Sequence, residues 1–272
     1  MQFDNTKTYF MPVGCGPVRP QLDPQTGTPA RASIFGDVWT LSTSYLSTKD
    51  AIAAHLPPGF DPDDEPIVTV FCMQCTKVNV LADGGYNLIG LNLAASFKGE
   101  KDVETGNYCV VLWENHCYPI IRGRELLGAP KLFADIPDPV FDHGIWHVEA
   151  IDNRHLLVAM NINQEEKIGS EKLDAMAERD NQTSWLGWRY IPNINGIGAA
   201  ISEPTLIGKE DNYDEGWTGD GTITYGDATW VESPMSGDIV QAIKELSIEE
   251  YVGSRVTHGS ARVSRELHRV LR

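Results

Sequence analysis

The sequence predicts a single α+β domain dominated by strands, built as a sheet or barrel with a few helices. Three observations predict it. Apolar, β-branched runs of strand length recur along the chain, most plainly at 67–75, 86–97 and 108–113. Helical periodicity is confined to short stretches. No internal repeat, low-complexity tract or linker divides the 272 residues, a length that can bury a sizeable core.

Taken in order, residues 1–34 are rich in Pro, Gly and Thr without a clear period, and read as an irregular arm ahead of one domain at 35–272. Residues 36–46 read as a strand. Ser47 then opens a short helix, with Asp50 placed to meet the free amides of its first turn, ending before Pro57-Pro58-Gly59. After an acidic, proline-bounded loop at 62–66, the run 67–75 reads as a buried strand. Strands at 86–97 and 108–113 follow, joined by the charged loop 98–107. Residues 147–162 suggest a hairpin about Asp152-Asn153. Residues 164–182 are polar and charged, a helix or a mobile excursion. Strands at 185–191 and 199–207 flank the loop 192–196, and 216–230 is a further β region. From Ser236 an amphipathic helix places Ile239, Ile243 and Leu246 on one face. The tail from Ser260 is basic and helical in pattern.

Apolar residues make up 42% of the chain and charged residues 22%, as in ordinary folded proteins. The 38 acids against 22 bases leave a formal net charge of -16. Such a chain repels phosphate backbones and anionic bilayers, so neither nucleic acid nor a membrane surface is expected as a partner. The start of the chain lacks a basic segment followed by an apolar run, so no signal peptide is expected. Five scattered cysteines suggest reduced thiols and a cytoplasmic setting.

The segment 121–135 carries the most chemistry. Lys131 sits in Leu-Gly-Ala-Pro-Lys-Leu-Phe, with no acid within three positions. A lysine among apolar groups loses hydration of its charged form, and a neutral amine attacks carbonyls. Pro130 restricts the backbone just before it. The alternative is a lysine that snorkels out of an apolar loop.

Gly123-Arg124-Glu125-Leu126 followed by Pro130-Lys131 resembles the active-site segment of the acetoacetate decarboxylases. In that family the lysine after the proline forms a Schiff base with substrate. The resemblance extends over roughly 35–270, through Tyr45 to Pro57, Tyr190-Ile191-Pro192-Asn193, Gly216-Trp217-Thr218-Gly219 and the helix at 239–248. It implies a strongly bent antiparallel sheet closing into a barrel or cone around Lys131, a homo-oligomer and a cofactor-free reaction. The departures are as informative. The second lysine usual after the nucleophile is Leu132 here. The family's two glutamates on earlier strands fall at Phe71 and Leu88, and its first-strand arginine near Asp37 or Val38. This pattern resembles the superfamily's divergent members, some of which run aldol or dehydration chemistry through the same Schiff base.

Other residues are candidates around the lysine. Arg124 is placed to clamp a substrate carboxylate, or to pair with Glu125 or Glu203 and hold the loop; Glu125 reads as structural. Gln74, a polar amide in an apolar strand, either faces a cavity or bonds to backbone. Trp113 reads as a pocket wall and Tyr118 as a substrate contact. Glu114 or Tyr118 would supply the missing proton donor, and Tyr251 is a further phenolic acid. Core packing for the aromatics and a solvated turn for Glu114 are the alternatives. Cys72 and Cys75 sit three apart on a strand and so face opposite ways, and His116-Cys117 are adjacent, so neither pair suggests a metal or a nucleophilic dyad. No phosphate loop or nucleophile elbow is present.

The expectation is a Schiff-base lyase acting through Lys131 on a small oxo acid or ketone by aldol or dehydration chemistry. The alternatives are decarboxylation of a β-keto acid and a non-catalytic barrel binding a ketone-bearing metabolite.

Overall fold

A computed structural model describes residues 2–18, 30 and 32–272. Residues 1, 19–29 and 31 of the expected arm lie outside the described residues. Among the described residues fourteen strands are assigned: β1 Ala32–Leu46, β2 Phe60–Pro62, β3 Ile67–Val78, β4 Gly84–Lys98, β5 Val103–Glu114, β6 Lys131–Phe133, β7 Val140–Asp142, β8 Ile145–Asp152, β9 His155–Lys167, β10 Ser184–Pro192, β11 Ala199–Ile207, β12 Lys209–Tyr225, β13 Glu250–Ser264 and β14 Arg269–Val270. Four α-helices accompany them: α1 Lys49–Ala54, α2 Cys117–Arg122, α3 Ser170–Gln182 and α4 Gly237–Ile243.

The strands form one sheet in the order β14-β11-β10-β5-β4-β3-β1-β13-β12-β9-β8-β7, with β2 added on β4 and β6 on β5. The expected antiparallel sheet is in fact mixed, because β5 pairs in parallel with both β10 and β6. Nor is the expected closure into a barrel or cone found among the described residues. The sheet curls until the segment after β6 reaches β8, but an isolated bridge between Asp135 and Ile151 is the contact there, not a ladder.

The curl explains the apolar runs. β3 sends Val68, Val70 and Cys72 into the main core, while Phe71, Met73 and Cys75 face a cavity on the other side. A strand buried on both faces loses its polar alternation. The main core lies between β1, β3, β4 and β5 on one side and β8 and β9 on the other. There Leu41, Ile89, Leu91 and Val111 share one cluster with Val148, Leu157 and Met160. Helix α4 contributes Val240 and Ile243 to that cluster, and Leu246 joins just beyond it.

Several boundaries differ from expectation. Thr48, not Ser47, caps α1, its side chain accepting the Ala51 N–H, with Asp50 in the first turn. The β8–β9 hairpin turns at Asn153-Arg154, both at positive φ as a tight two-residue turn requires. The polar stretch 164–182 is the end of β9 followed by α3. The tail from Ser260 is not an α-helix: β13 continues to Ser264, with Ala261 and Val263 toward the cavity and Arg262 outward against Glu210, and a single 3₁₀ turn at Arg265–Leu267 then leads to β14. No helix among the described residues is long and apolar enough to cross a membrane.

Candidate active site

The helical segment before Lys131 sets its position. His116 caps α2, its Nδ1 accepting the Tyr118 N–H at 3.2 Å. The helix runs into a π-helical turn, Gly123–Leu127, which Gly128 ends at φ 72°. A Cβ at Gly128 would also lie 2.5 Å from the Arg189 nitrogen, so the stop and the close packing both need glycine. Ala129 and Pro130 then lead into β6, where Lys131 pairs with Leu112 of β5.

Gly123 makes room for the lysine. A Cβ there would lie 2.4 Å from Lys131 Cδ and 2.5 Å from Cε, so the aliphatic stem lies directly against the helical backbone. Arg124 fixes the other end of the residue by donating from Nη1 to the Lys131 carbonyl at 2.8 Å.

Strand register then assembles the site. Phe71 pairs with Gly90, Gly90 with Leu112 and Leu112 with Lys131, one row across four strands. The next row runs Met73, Leu88, Glu114 and Phe133. Residues two apart on a strand share a face, so Glu114 lies beside Lys131 on the face that carries Leu112. Lys131 Nζ stands 2.7 Å from Glu114 Oε1. Both residues line a cavity of about 940 Å³, with Phe71, Met73, Tyr86 and Leu88 as apolar wall.

Lys131 is 9% exposed and Glu114 fully buried. Burial pushes the Glu114 carboxyl upward, and the neighbouring Lys131 opposes that shift. Neither carboxylate oxygen receives a hydrogen bond of ordinary direction, so the lysine charge is its principal compensation. Burial also raises the Tyr86 phenol well above its ordinary range. It therefore stays protonated on the cavity wall.

Tyr118 lines the cavity, its hydroxyl accepting from Arg122 Nη1 at 3.0 Å. The structure does not bring Gln74, Trp113, Arg124 or Tyr251 to the cavity lining. Gln74 and Trp113 have the wrong parity: Met73 and Cys75, and Leu112 and Glu114, take the cavity face on either side of them. Trp113 is buried in the main core and donates from Nε1 to Ser236 Oγ at 2.9 Å. Arg124 is spent on the Lys131 carbonyl, and Glu203 pairs with Arg189 instead. The Tyr251 hydroxyl accepts the Ile223 N–H at 3.0 Å. Cys72 lies in the main core and Cys75 on the cavity, both thiols pushed up by burial. Among the described residues no cluster of three His, Cys, Asp or Glu is arranged to hold a metal.

Sequence reasoning missed the rest of the cavity. Arg122 follows Tyr118 by one helical turn, and Tyr118, Pro119, Arg122, Gly123, Leu126 and Leu127 all face inward. Elsewhere on the lining Arg255 pairs with Asp180 at 2.7 Å, and the Tyr213 hydroxyl donates to the same carboxylate at 2.9 Å. Lys209 is in contact with Asp211, and Arg265 and His268 also line the cavity.

Against this geometry stand the comparisons with known proteins. A family model described as acetoacetate decarboxylase (ADC) matches residues 16–268. No curated protein matches the sequence. Among solved structures, the acetoacetate decarboxylase of Legionella pneumophila superposes with a TM-score of 0.72 at 18% identity, covering 90% of this chain and 88% of its own. The enduracididine biosynthesis enzyme MppR, complexed with pyruvate, gives 0.68 at 15% identity, covering 94% and 99%. An acetoacetate decarboxylase-like enzyme from Sphingomonas wittichii RW1 gives 0.67 at 17% identity, covering 93% and 99%. At these identities the likeness is one of fold.

Proposed function

The chain belongs to the acetoacetate decarboxylase family, and from that premise we propose that it is a lyase forming a Schiff base between Lys131 and the carbonyl of a small oxo acid. The observation that carries the reading is the buried contact of Lys131 with Glu114 on a cavity wall. A non-catalytic barrel has no use for a carboxylate buried against the amine, which costs free energy to desolvate.

The chemistry follows from the pair. The amine nitrogen adds to the carbonyl carbon, and the oxygen departs as water once protonated. Glu114 lies within reach to give and take those protons, and its raised carboxyl holds a proton further toward neutral pH than a solvated one does. The resulting protonated imine is an electron sink. Loss of a proton from the α-carbon gives an enamine, whose carbon then adds to an aldehyde. Hydrolysis of the imine releases product and restores the amine.

Two features favour aldol or dehydration chemistry. Phe71 and Leu88 occupy the positions aligned with the decarboxylases' glutamates, and both line the cavity. One structurally similar protein, MppR, has been captured with the condensation product of pyruvate and imidazole 4-carboxaldehyde. Family membership favours the second reading, decarboxylation of a β-keto acid. Proton NMR in D2O separates them. Deuterium entering the methyl of pyruvate, and a condensation product on adding an aldehyde, support the first. Release of carbon dioxide from acetoacetate without such exchange supports the second. Neither reaction with the wild-type chain overturns both.

A further inference from the structure

We infer that Asn92 and Asn107, with the hydroxyl pair of Ser44 and Thr69, form a neutral subsite in the Lys131 cavity that hydrogen-bonds a hydroxyl group of the substrate, several carbons from the reacting carbonyl. This rests on reading Lys131 as the nucleophile, and it adds the class of compound taken: a carbonyl compound with a hydroxylated chain.

The hydrogen-bond inventory of the cavity carries the inference. Lys131 has Glu114 as partner, Lys209 has Asp211, and Arg255 has Asp180. The side-chain amides of Asn92 and Asn107 line the same cavity and make no hydrogen bond among the described residues, the Asn92 Oδ1 being enclosed without a partner. Beside them Ser44 Oγ and Thr69 Oγ1 lie 2.8 Å apart. That pair has two O–H groups and shares one bond, so one donor is left over. None of the four side chains is ionisable, so the group they recognise is polar and uncharged. An amide both donates and accepts, as a hydroxyl does, and the broad χ2 of asparagine lets a small turn present either end to a ligand. An enclosed oxygen left unbonded costs free energy that a donor on the ligand offsets.

Strand register brings the four together. Ser44 pairs with Thr69 and Thr69 with Asn92, one row across β1, β3 and β4. Asn92 pairs with Cys109 of β5, and Asn107 stands two residues before Cys109 on the same face. A β-bulge allows this. Leu91 pairs with Val111 and Asn92 with Cys109, leaving Val110 over. The parity of β5 therefore reverses, and Asn107 faces the cavity in place of Tyr108. The polar row lies next to the row of Phe71, Gly90, Leu112 and Lys131, on the side away from Glu114. In register Asn92 is two strands and two residues from Lys131. That is roughly 12 Å between backbones at ~4.8 Å per strand and ~3.4 Å per residue, a gap that the lysine stem and a chain of about four to six carbons span. The cavity is thus apolar beside Glu114, at Met73 and Leu88, and polar beyond Lys131. Such a division orients a ligand with its carbonyl at the amine and its hydroxyl at the asparagines.

The test is a competition on the full chain between 5-hydroxy-2-pentanone and 2-pentanone, and between 6-hydroxy-2-hexanone and 2-hexanone. Borohydride reduction traps the imines, and intact mass gives the ratio of the two adducts, normalised to the ratio on a free alkylamine. Both ketones compete for one amine, so the ratio is independent of how much of a preparation folds. Wild type should favour at least one hydroxy ketone roughly tenfold over its parent. Asn92→Leu and Asn107→Leu, which keep the volume and remove the amide, should each lower that ratio, and the double variant should bring it close to one. A normalised ratio near one for both pairs in wild type would overturn the subsite, with Lys131 still trapping ketones. So would a preference that the double variant retains in full. No adduct from any of the four ketones or from pyruvate would overturn the reading of Lys131, and the subsite with it.

Discussion

Glu114 ends one strand and Lys131 begins another, and the parallel pairing of these strands brings their charged ends to 2.7 Å. The carboxylate is fully buried, the amine nearly so, and the same wall carries Phe71 and Leu88. If Glu114 moves protons on and off the substrate, Glu114→Gln removes that capacity while leaving the amine in place. Turnover should fall about 10²- to 10⁴-fold, with the borohydride adduct still forming, more slowly. Steady-state rates and adduct mass on the same preparation check this.

Gly123 offers a test of position without chemistry. Its φ of -63° suits any residue, so alanine brings no backbone strain. The new methyl would, however, occupy the space of Lys131 Cδ and Cε. Gly123→Ala should therefore displace the amine and cost about 10²-fold in kcat, with a stability loss of no more than roughly 1–3 kcal/mol. Thermal unfolding and turnover, measured together, separate the two effects.

Trp113 should behave as a core residue. It is 1% exposed, packs in the main cluster and donates to Ser236. Trp113→Phe should cost about 1–3 kcal/mol in urea unfolding, from the lost hydrogen bond and volume. KM should stay within error of wild type. A raised KM at unchanged stability would return Trp113 to the substrate.

How much of this was legible in the sequence depended on parity and phase. The strands were plain, because burial on both faces leaves apolar runs such as 67–75. Lys131 and Glu114 were both visible as candidates, yet nothing in the sequence announced their contact, which depends on a parallel pairing between segments 17 residues apart. Trp113 and Gln74 were candidates by proximity alone. Each stands one residue from a cavity-facing neighbour, and on a strand that one step reverses the face. Arg122 was passed over for Arg124 because the phase of the helix was unknown; Tyr118, one turn earlier, was the available signal. The tail after Ser260 misled because its arginines and glutamate suit a helix, although Ala261 and Val263 already alternate. The gap in the curl at Asp135 and Ile151 has no local sequence signature.

His268 links the cavity to pH. Burial, aided by Arg265, lowers its pKa from 6.5 to about 4. Its Nδ1 accepts the Gly208 N–H at 3.1 Å, a bond the protonated ring cannot accept there. Between these two pKa values the unfolded chain binds the proton more readily, so the stabilising contribution is complete above about pH 6.5 and is lost as pH falls toward 4. The full shift would be worth about 3 kcal/mol, and solvent screening of the partly exposed ring reduces the expected loss to roughly 1–2 kcal/mol. Urea unfolding at several pH values should show a shallower acid-side slope for His268→Gln than for wild type.

The most direct measurement is borohydride reduction in the presence of pyruvate or acetoacetate, read by intact mass and peptide mapping on wild type and Lys131→Ala. A Schiff-base enzyme predicts a mass gain equal to the reduced adduct, located on Lys131 and absent from the variant. No adduct with either compound, or an equal adduct on the variant, would contradict Lys131 as the nucleophile.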